Sequence, residues 1–151
     1  MAQVETITGV INRFATDAVL PSSFPGGLWL DEIPPKTEAG ADFDITVQGA
    51  FVVLVDGGDE LEYSSESAYV ERRKLTFLVF AVGATATLAL GQKVRASFRI
   101  YGEVANGVQW IKFELTGSKI MIDPTPATNG ARVFIHQLDY DVERMGDIAN
   151  W

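Results

Sequence analysis

The sequence predicts an α/β (α+β) domain in which one mixed, mostly antiparallel sheet carries two helices, and three observations predict it. Residues 50–55 are continuously apolar and rich in β-branched side chains, as in a strand covered on both faces. Residues 69–82 alternate at first and, apart from Thr76, turn apolar from Leu75, which suits a long strand that projects at one end and is buried at the other. Residues 4–18 and 84–101 instead repeat apolar side chains every three or four positions, the spacing of a helix face.

In the first helical stretch Val4, Ile7, Ile11, Phe14 and Ala18 form one stripe, while Glu5, Thr8, Asn12 and Arg13 fall off it. Pro21 and Pro25 prevent its continuation, because proline lacks the amide hydrogen a helix interior needs. Phe24-Pro25-Gly26-Gly27 then reads as a turn into a strand at Leu28-Trp29-Leu30. Residues 31–49 are rich in proline, glycine and acidic side chains without a sustained period. They read as a long loop, either an arm that orders against a neighbour or a disordered segment.

The run 50–55 is the candidate centre of the sheet. Asp56-Gly57-Gly58-Asp59 follows with the residue types a tight reversal wants, since glycine adopts positive φ without steric cost. On the strand 69–82, Arg72 and Lys74 alternate with Glu71, Arg73 and Leu75. The basic triplet Arg72-Arg73-Lys74 faces the acidic residues Glu60 and Glu62 across the hairpin, either to keep a sheet edge soluble or to bind a partner; cross-strand pairs of this kind contribute about 0.2–1 kcal/mol.

The second helix aligns Leu90, Val94, Phe98 and Tyr101. A glycine inside a helix costs about 1 kcal/mol relative to alanine, so Gly91 implies a close approach to the sheet or to the first helix. Two further strands, 108–123 with an interruption at Gly117-Ser118 and 132–142, are separated by a turn marked by Asn129-Gly130. Residues 145–151 read as a tail.

A chain of 151 residues that is 47% hydrophobic is long enough for one core, and one domain of this size buries roughly 70% of its unfolded surface. Twelve basic and twenty acidic residues leave a net charge of −8, which argues against a surface built to neutralise nucleic-acid phosphates. Without cysteine there is no disulfide, thiolate metal site or cysteine nucleophile. No basic-then-apolar leader and no run of about 18 apolar residues occurs, so the expected place of action is the cytoplasm or something assembled there.

The chemistry candidates are few. His136 is the only histidine and lies on the apolar face of an alternating strand, so packing or a hydrogen bond at the core edge is expected; catalysis would require a nucleophile the sequence does not nominate. Asp56, Asp59, Glu60 and Glu62 lack the ligand spacing of a calcium loop and read as a solvated hairpin tip. Asp139 and Asp141, two apart on a polar strand face, read as exposed carboxylates. Gly26-Gly27 lacks the spacing and the following helix of a phosphate loop. Trp29 and Trp110 suit packing, and Trp151, closing a polar tail, also suggests docking. No enzyme activity, cofactor or metal is expected.

In its order of elements over residues 4–98, the chain resembles the tail-terminator or tail-completion family of long-tailed bacteriophages. The resemblance rests on the N-terminal helix, the Gly26-Gly27-Leu28-Trp29 strand, the central strand 51–55, the strand Tyr69-Val70-Glu71-Arg72-Arg73-Lys74-Leu75-Thr76-Phe77-Leu78-Val79-Phe80-Ala81 and the Ala89-Leu90-Gly91-Gln92-Lys93-Val94 helix. It implies a non-enzymatic virion protein of the tail or neck, assembled in the host cytoplasm. Such a protein forms a homo-oligomeric ring, six-membered in that family, that caps the tail tube and meets the head-side connector or stopper while DNA passes through the lumen. A second neck role, that of a head–tail stopper, stands beside it, as does a small ligand-binding or enzymatic domain. The residues expected at subunit or tube contacts are Arg72, Arg73 and Lys74, with Asp56, Asp59, Glu60 and Glu62 beside them and Trp151 on the tail.

Overall fold

The computed structural model describes residues 6–32, 43–63, 68–105, 108–124 and 130–147. In chain order the elements are α1 (Thr6–Thr16), α2 (Leu20–Ser23), β1 (Leu28–Leu30), α3 (Ile45–Gln48), β2 (Phe51–Tyr63), β3 (Ala68–Val82), α4 (Ala84–Ser97), β4 (Tyr101–Ala105), β5 (Val108–Ile122) and β6 (Val133–Asp147). The six strands form one sheet in the order β1-β2-β3-β6-β5-β4. Only β1 and β2 run parallel; every other neighbouring pair is antiparallel. This is the predicted mixed, mostly antiparallel α+β architecture.

The main core lies between one sheet face and the helices. Val10 and Phe14 of α1, Leu20 and Phe24 around α2, and Val94 and Phe98 at α4 pack on Val52, Phe77, Val79, Phe113, Leu138 and Tyr140. A smaller cluster on the opposite face joins Phe51, Val53, Phe80 and Val133 to Phe43 and Ile45 of the α3 segment. The rest of that second face carries Arg72 and Lys74 of β3, Lys112 and Glu114 of β5, and Asp141 and Glu143 of β6, all at least partly exposed.

The first helix ends at Thr16, two residues before the predicted Ala18. Asp17 ends it: its Oδ2 accepts from the Val19 and Leu20 N–H groups at 2.8 and 2.9 Å, which opens α2. Pro21 falls in the first turn of α2, where its missing N–H would have had no helical partner. Asp17 also accepts from Ser97 Oγ at 2.8 Å, tying α2 to the end of α4.

The stretch 31–49 is not wholly loop. Asp44 caps the single turn α3 by accepting from the Thr46 N–H at 2.9 Å, and Gly49 ends the turn at a φ of 93°. Phe43 and Ile45 are thereby pinned on the smaller core. The residues of this segment at 33–42 lie outside the described residues, as do Val4 at the start of the first helical stripe, Asn129 in the predicted turn and 148–151 in the predicted tail.

Asp56-Gly57-Gly58-Asp59 is not a reversal. β2 runs straight through it to Tyr63, and the register to β3 shifts between Asp56, opposite Leu75, and Asp59, opposite Arg73. Two residues on β2 stand against one on β3, a β-bulge. A side chain at Gly57 would meet the Lys74 backbone, and Gly58 sits at a φ of 95°. The glycine pair that suits a turn suits a bulge equally, and the pairing that continues to Tyr63 opposite Tyr69 decides between them.

α4 stops at Ser97, before the predicted Tyr101. Leaving the helix there buries both Phe98 and Ile100, the latter 1% exposed, and turns Tyr101 out at 67%. Tyr101 opens β4, an edge strand not anticipated. Gly91 is explained as predicted by close approach to the sheet, since a Cβ there would collide with the His136 ring. β6 extends five residues past the predicted end at Val142, so residues 145–147 belong to the sheet rather than to a tail.

Candidate interaction surface

The bulge brings most of the predicted contact residues together. Asp56 Oδ1 accepts from the Gly58 N–H at 3.0 Å and its Oδ2 from Arg73 Nη1 at 2.5 Å, while the Asp56 N–H donates to Asp31 Oδ1 at 2.9 Å. Burial raises the Asp56 pKa, but these bonds and the Arg73 charge carry it below the usual carboxylate range. Asp31, at the end of β1, takes a φ of 54°, a left-handed conformation that aspartate tolerates better than most residues.

Arg73 is the hub of the bulge. Besides Asp56 it reaches Asp59 at 3.4 Å and Glu71 at 3.1 Å. Its burial alone would lower its pKa; Asp56 and Glu71 raise it instead. Its side chain points to the helix-covered side of β3 with Glu71, so its charge is spent inside the protein rather than offered to a partner.

Arg72 and Lys74 point to the open face. Arg72 bonds Glu62 across the hairpin, as the sequence predicts, and reaches Glu143 on β6 at 2.9 Å. Lys112 on β5 bonds Glu114 at 2.9 Å and stands 4.0 Å from Glu143. Lys74 stands opposite Asp141 in register. The bulge, Asp59, Glu60, Arg72, Lys74 and Lys112 line a shallow groove of about 340 Å³. Glu60 and Lys74 form no ion pair among the described residues.

Chemically this is a mosaic of both signs, in which Arg72 and Lys112 are paired with carboxylates while Glu60 and Lys74 are not. It suits contact with another mixed-charge protein surface better than with a phosphate backbone, which requires uncompensated cations. Among the described residues no group of three or more potential metal ligands occurs. Trp151, the remaining candidate, lies outside the described residues.

The other polar cluster was not foreseen. Arg144 and Glu71, 5% and 4% exposed, meet in the core: Arg144 Nη2 donates to Glu71 Oε2 at 2.9 Å and Nε to Thr6 Oγ1 at 2.6 Å, and Thr6 donates on to Glu71 Oε1 at 2.5 Å. Arg144 also lies 5.6 Å from the centre of the Tyr69 ring. Burial raises the Glu71 pKa, and the bonds from Thr6 and Arg144 more than reverse that. The alternation that put Glu71 on the same face as Leu75 was the available signal; its partners come from the chain's first helix and last strand, 65 and 73 residues away in sequence.

His136 sits at the core edge as expected. Its Nε2 lies 2.8 Å from Ser118 Oγ, while Nδ1 faces Gly91 with no hydrogen-bond partner among the described residues. A serine–histidine pair is thus present, but among the described residues no carboxylate orients the ring, as nucleophilic activation requires. Asp139 accepts from Thr76 at 2.8 Å and from Gln137 at 3.2 Å, a structural role.

No family model matches the chain, and no curated protein matches its sequence. Its fold is similar to that of a chain in the virion of a native gene transfer agent, with a TM-score of 0.60 over 91% of this chain and 92% of that one, at 16% identity. The likeness runs through the whole domain and is one of fold.

Proposed function

We propose that this chain is a structural protein of a phage-like virion, and within it the subunit of a ring that caps the tail tube and joins the tail to the head. The observation that carries the reading is the fold shared almost end to end with a chain of a gene transfer agent virion. The order of elements that resembles the tail-terminator family narrows it to the tail end of such a particle. In this reading the ring has six copies, meets the tube protein on one side and the connector or stopper on the other, and assembles in the host cytoplasm.

The chemistry agrees. The net charge of −8 suits such a ring, since an acidic lumen would let DNA pass without adhering. The groove beside Arg72 and Lys74, with Glu60 and Glu62 on its rim, serves as a protein-contact surface whose paired charges set register more than affinity.

Negative-stain electron microscopy of the purified protein, alone and with tail-tube protein, tests the reading. Six-fold rings, or tubes capped at one end, are the expected result. Tubes left uncapped by a protein that stays monomeric would overturn it.

A further inference from the structure

β4 covers only the beginning of β5. Lys112 stands opposite Tyr101, the Phe113 N–H reaches the Ile100 carbonyl at 3.0 Å, and from residue 114 to 122 no described strand pairs with the outer edge of β5. Ile120 and Ile122 are 40% and 55% exposed along this stretch. Such an edge presents unpaired backbone donors and acceptors and is a template for another strand.

At the start of the open edge lies a second groove, of about 260 Å³, floored by Phe98, Phe113 and Tyr140 and flanked by Arg95 and Arg99. Neither arginine forms an ion pair among the described residues, and the nearby Glu114 is held by Lys112 at 2.9 Å. In a chain of net charge −8 this is a concentration of uncompensated positive charge.

The opposite edge of the sheet has the complementary character. The Gly27 carbonyl accepts from the Val52 N–H at 2.9 Å and the Asp31 N–H donates to the Leu54 carbonyl at 2.8 Å. Alternation along β1 therefore turns the backbone groups of Leu28 and Leu30 outward. Asp31 and Glu32 follow directly, both exposed.

We propose that these two edges join in a head-to-tail contact between copies: Leu28–Leu30 of one copy extends the sheet at the free edge of β5 in the next, and Glu32 meets Arg95 and Arg99. The proposal rests on the ring reading and specifies its contact. Because the two edges differ, the contact is heterologous and closes only by rotation into a ring. Backbone pairing supplies affinity, as in strand addition generally, and the arginine–carboxylate pairing supplies register and direction.

The test is a charge swap read by sedimentation velocity and electron microscopy. Arg95→Glu/Arg99→Glu, whose fold is checked by circular dichroism, should raise the concentration for half-maximal assembly by about tenfold or more, the scale of like-charge juxtaposition at an interface. Adding Glu32→Arg to that variant should restore assembly, and Glu32→Arg alone, at an exposed position, should impair it even if the double variant misfolds. Rings that form at the wild-type concentration in both the double variant and Glu32→Arg would overturn this contact and leave the ring reading standing. Intact rings that no longer cap tubes would overturn it too, and assign the groove to the tube. A wild-type protein that assembles neither alone nor on tubes would overturn the ring reading itself.

Discussion

Glu71 and Arg72 are consecutive residues on one strand, each in an ion pair, and they live in different solvents. Glu71 faces the helices and shares a dry cluster with Arg144 and Thr6; Arg72 faces water and bridges Glu62 and Glu143. The buried pair is locked because removing Glu71 strands the Arg144 charge in the core and removing Arg144 leaves Glu71 with Arg73 alone. The exposed pair can exchange its carboxylates for water or for another protein at little cost. One strand thus carries a fastener on one side and an interchangeable contact on the other.

The largest effect that should sharpen this contrast is Arg144→Met. Leaving buried Glu71 without its bond to Arg144, and with only Arg73 at 3.1 Å to offset its charge, should lower unfolding stability by up to about 3–5 kcal/mol, measured by urea denaturation. Glu71→Leu combined with Arg144→Met should recover most of that loss, since an apolar replacement of both partners is often neutral. A double variant as unstable as the single one would show that the cluster does more than neutralise its own charges.

Gly91→Ala comes next. The methyl group meets the His136 ring, so α4 or the ring must shift, and overpacking of this kind costs about 1–3 kcal/mol. A thermal midpoint unchanged from wild type would place α4 farther from the sheet than described.

Acid should act on the inner side through two groups in sequence. Burial, with Arg95 adding its charge, lowers the His136 pKa below its ordinary value of 6.5. The unfolded chain therefore takes up the proton first, and stability begins to fall as pH drops below about 6.5. Glu71 has its pKa lowered from 4.5, so its contribution is present above that value and is lost as pH falls toward the folded pKa. His136→Gln should flatten the upper part of the stability–pH curve and leave the lower part. A curve unchanged near pH 6 would remove His136 from the account.

The smallest effect is expected outside. Arg72→Gln should leave the unfolding midpoint where it is while changing the salt dependence of assembly or tube capping. A clear loss of stability would erase the distinction between the two sides of β3.

The elements that the sequence revealed are those whose periodicity runs unbroken. The strand 69–82 emerged because alternation gives way to an apolar run where the strand becomes buried, and the run at Phe51 because it is covered on both faces. Residues 56–59 misled because glycine pairs serve turns and bulges alike, and only pairing with β3 through Tyr63 separates them. β4 was hidden by Tyr101, whose spacing from Val94 and Phe98 fits a helix although Ile100 takes the buried place. For the interaction surface, Arg72–Glu62 was legible because cross-strand neighbours follow from the hairpin. Arg73 was legible only in part: alternation put it on the Leu75 face, but nothing in the sequence showed that it holds a bulge there. The Glu71–Arg144 cluster joins residues 73 apart, and Arg95 and Arg99 matter only where an edge happens to be open.

β6, the last strand in sequence, lies at the middle of the sheet, between β3 and β5. Every residue of β3 from Ala68 to Val82 takes a partner on it, and β5 is joined to the rest of the sheet through it. Until β6 has been synthesised, the hairpin of β2 and β3 and the hairpin of β4 and β5 are two unconnected pieces, and Glu71 has no Arg144. Folding therefore waits for β6, with the slow search that distant contacts impose. Before β6 has emerged, a nascent chain on the ribosome cannot complete the sheet or hold its two edges, at β1 and at β5, in one frame.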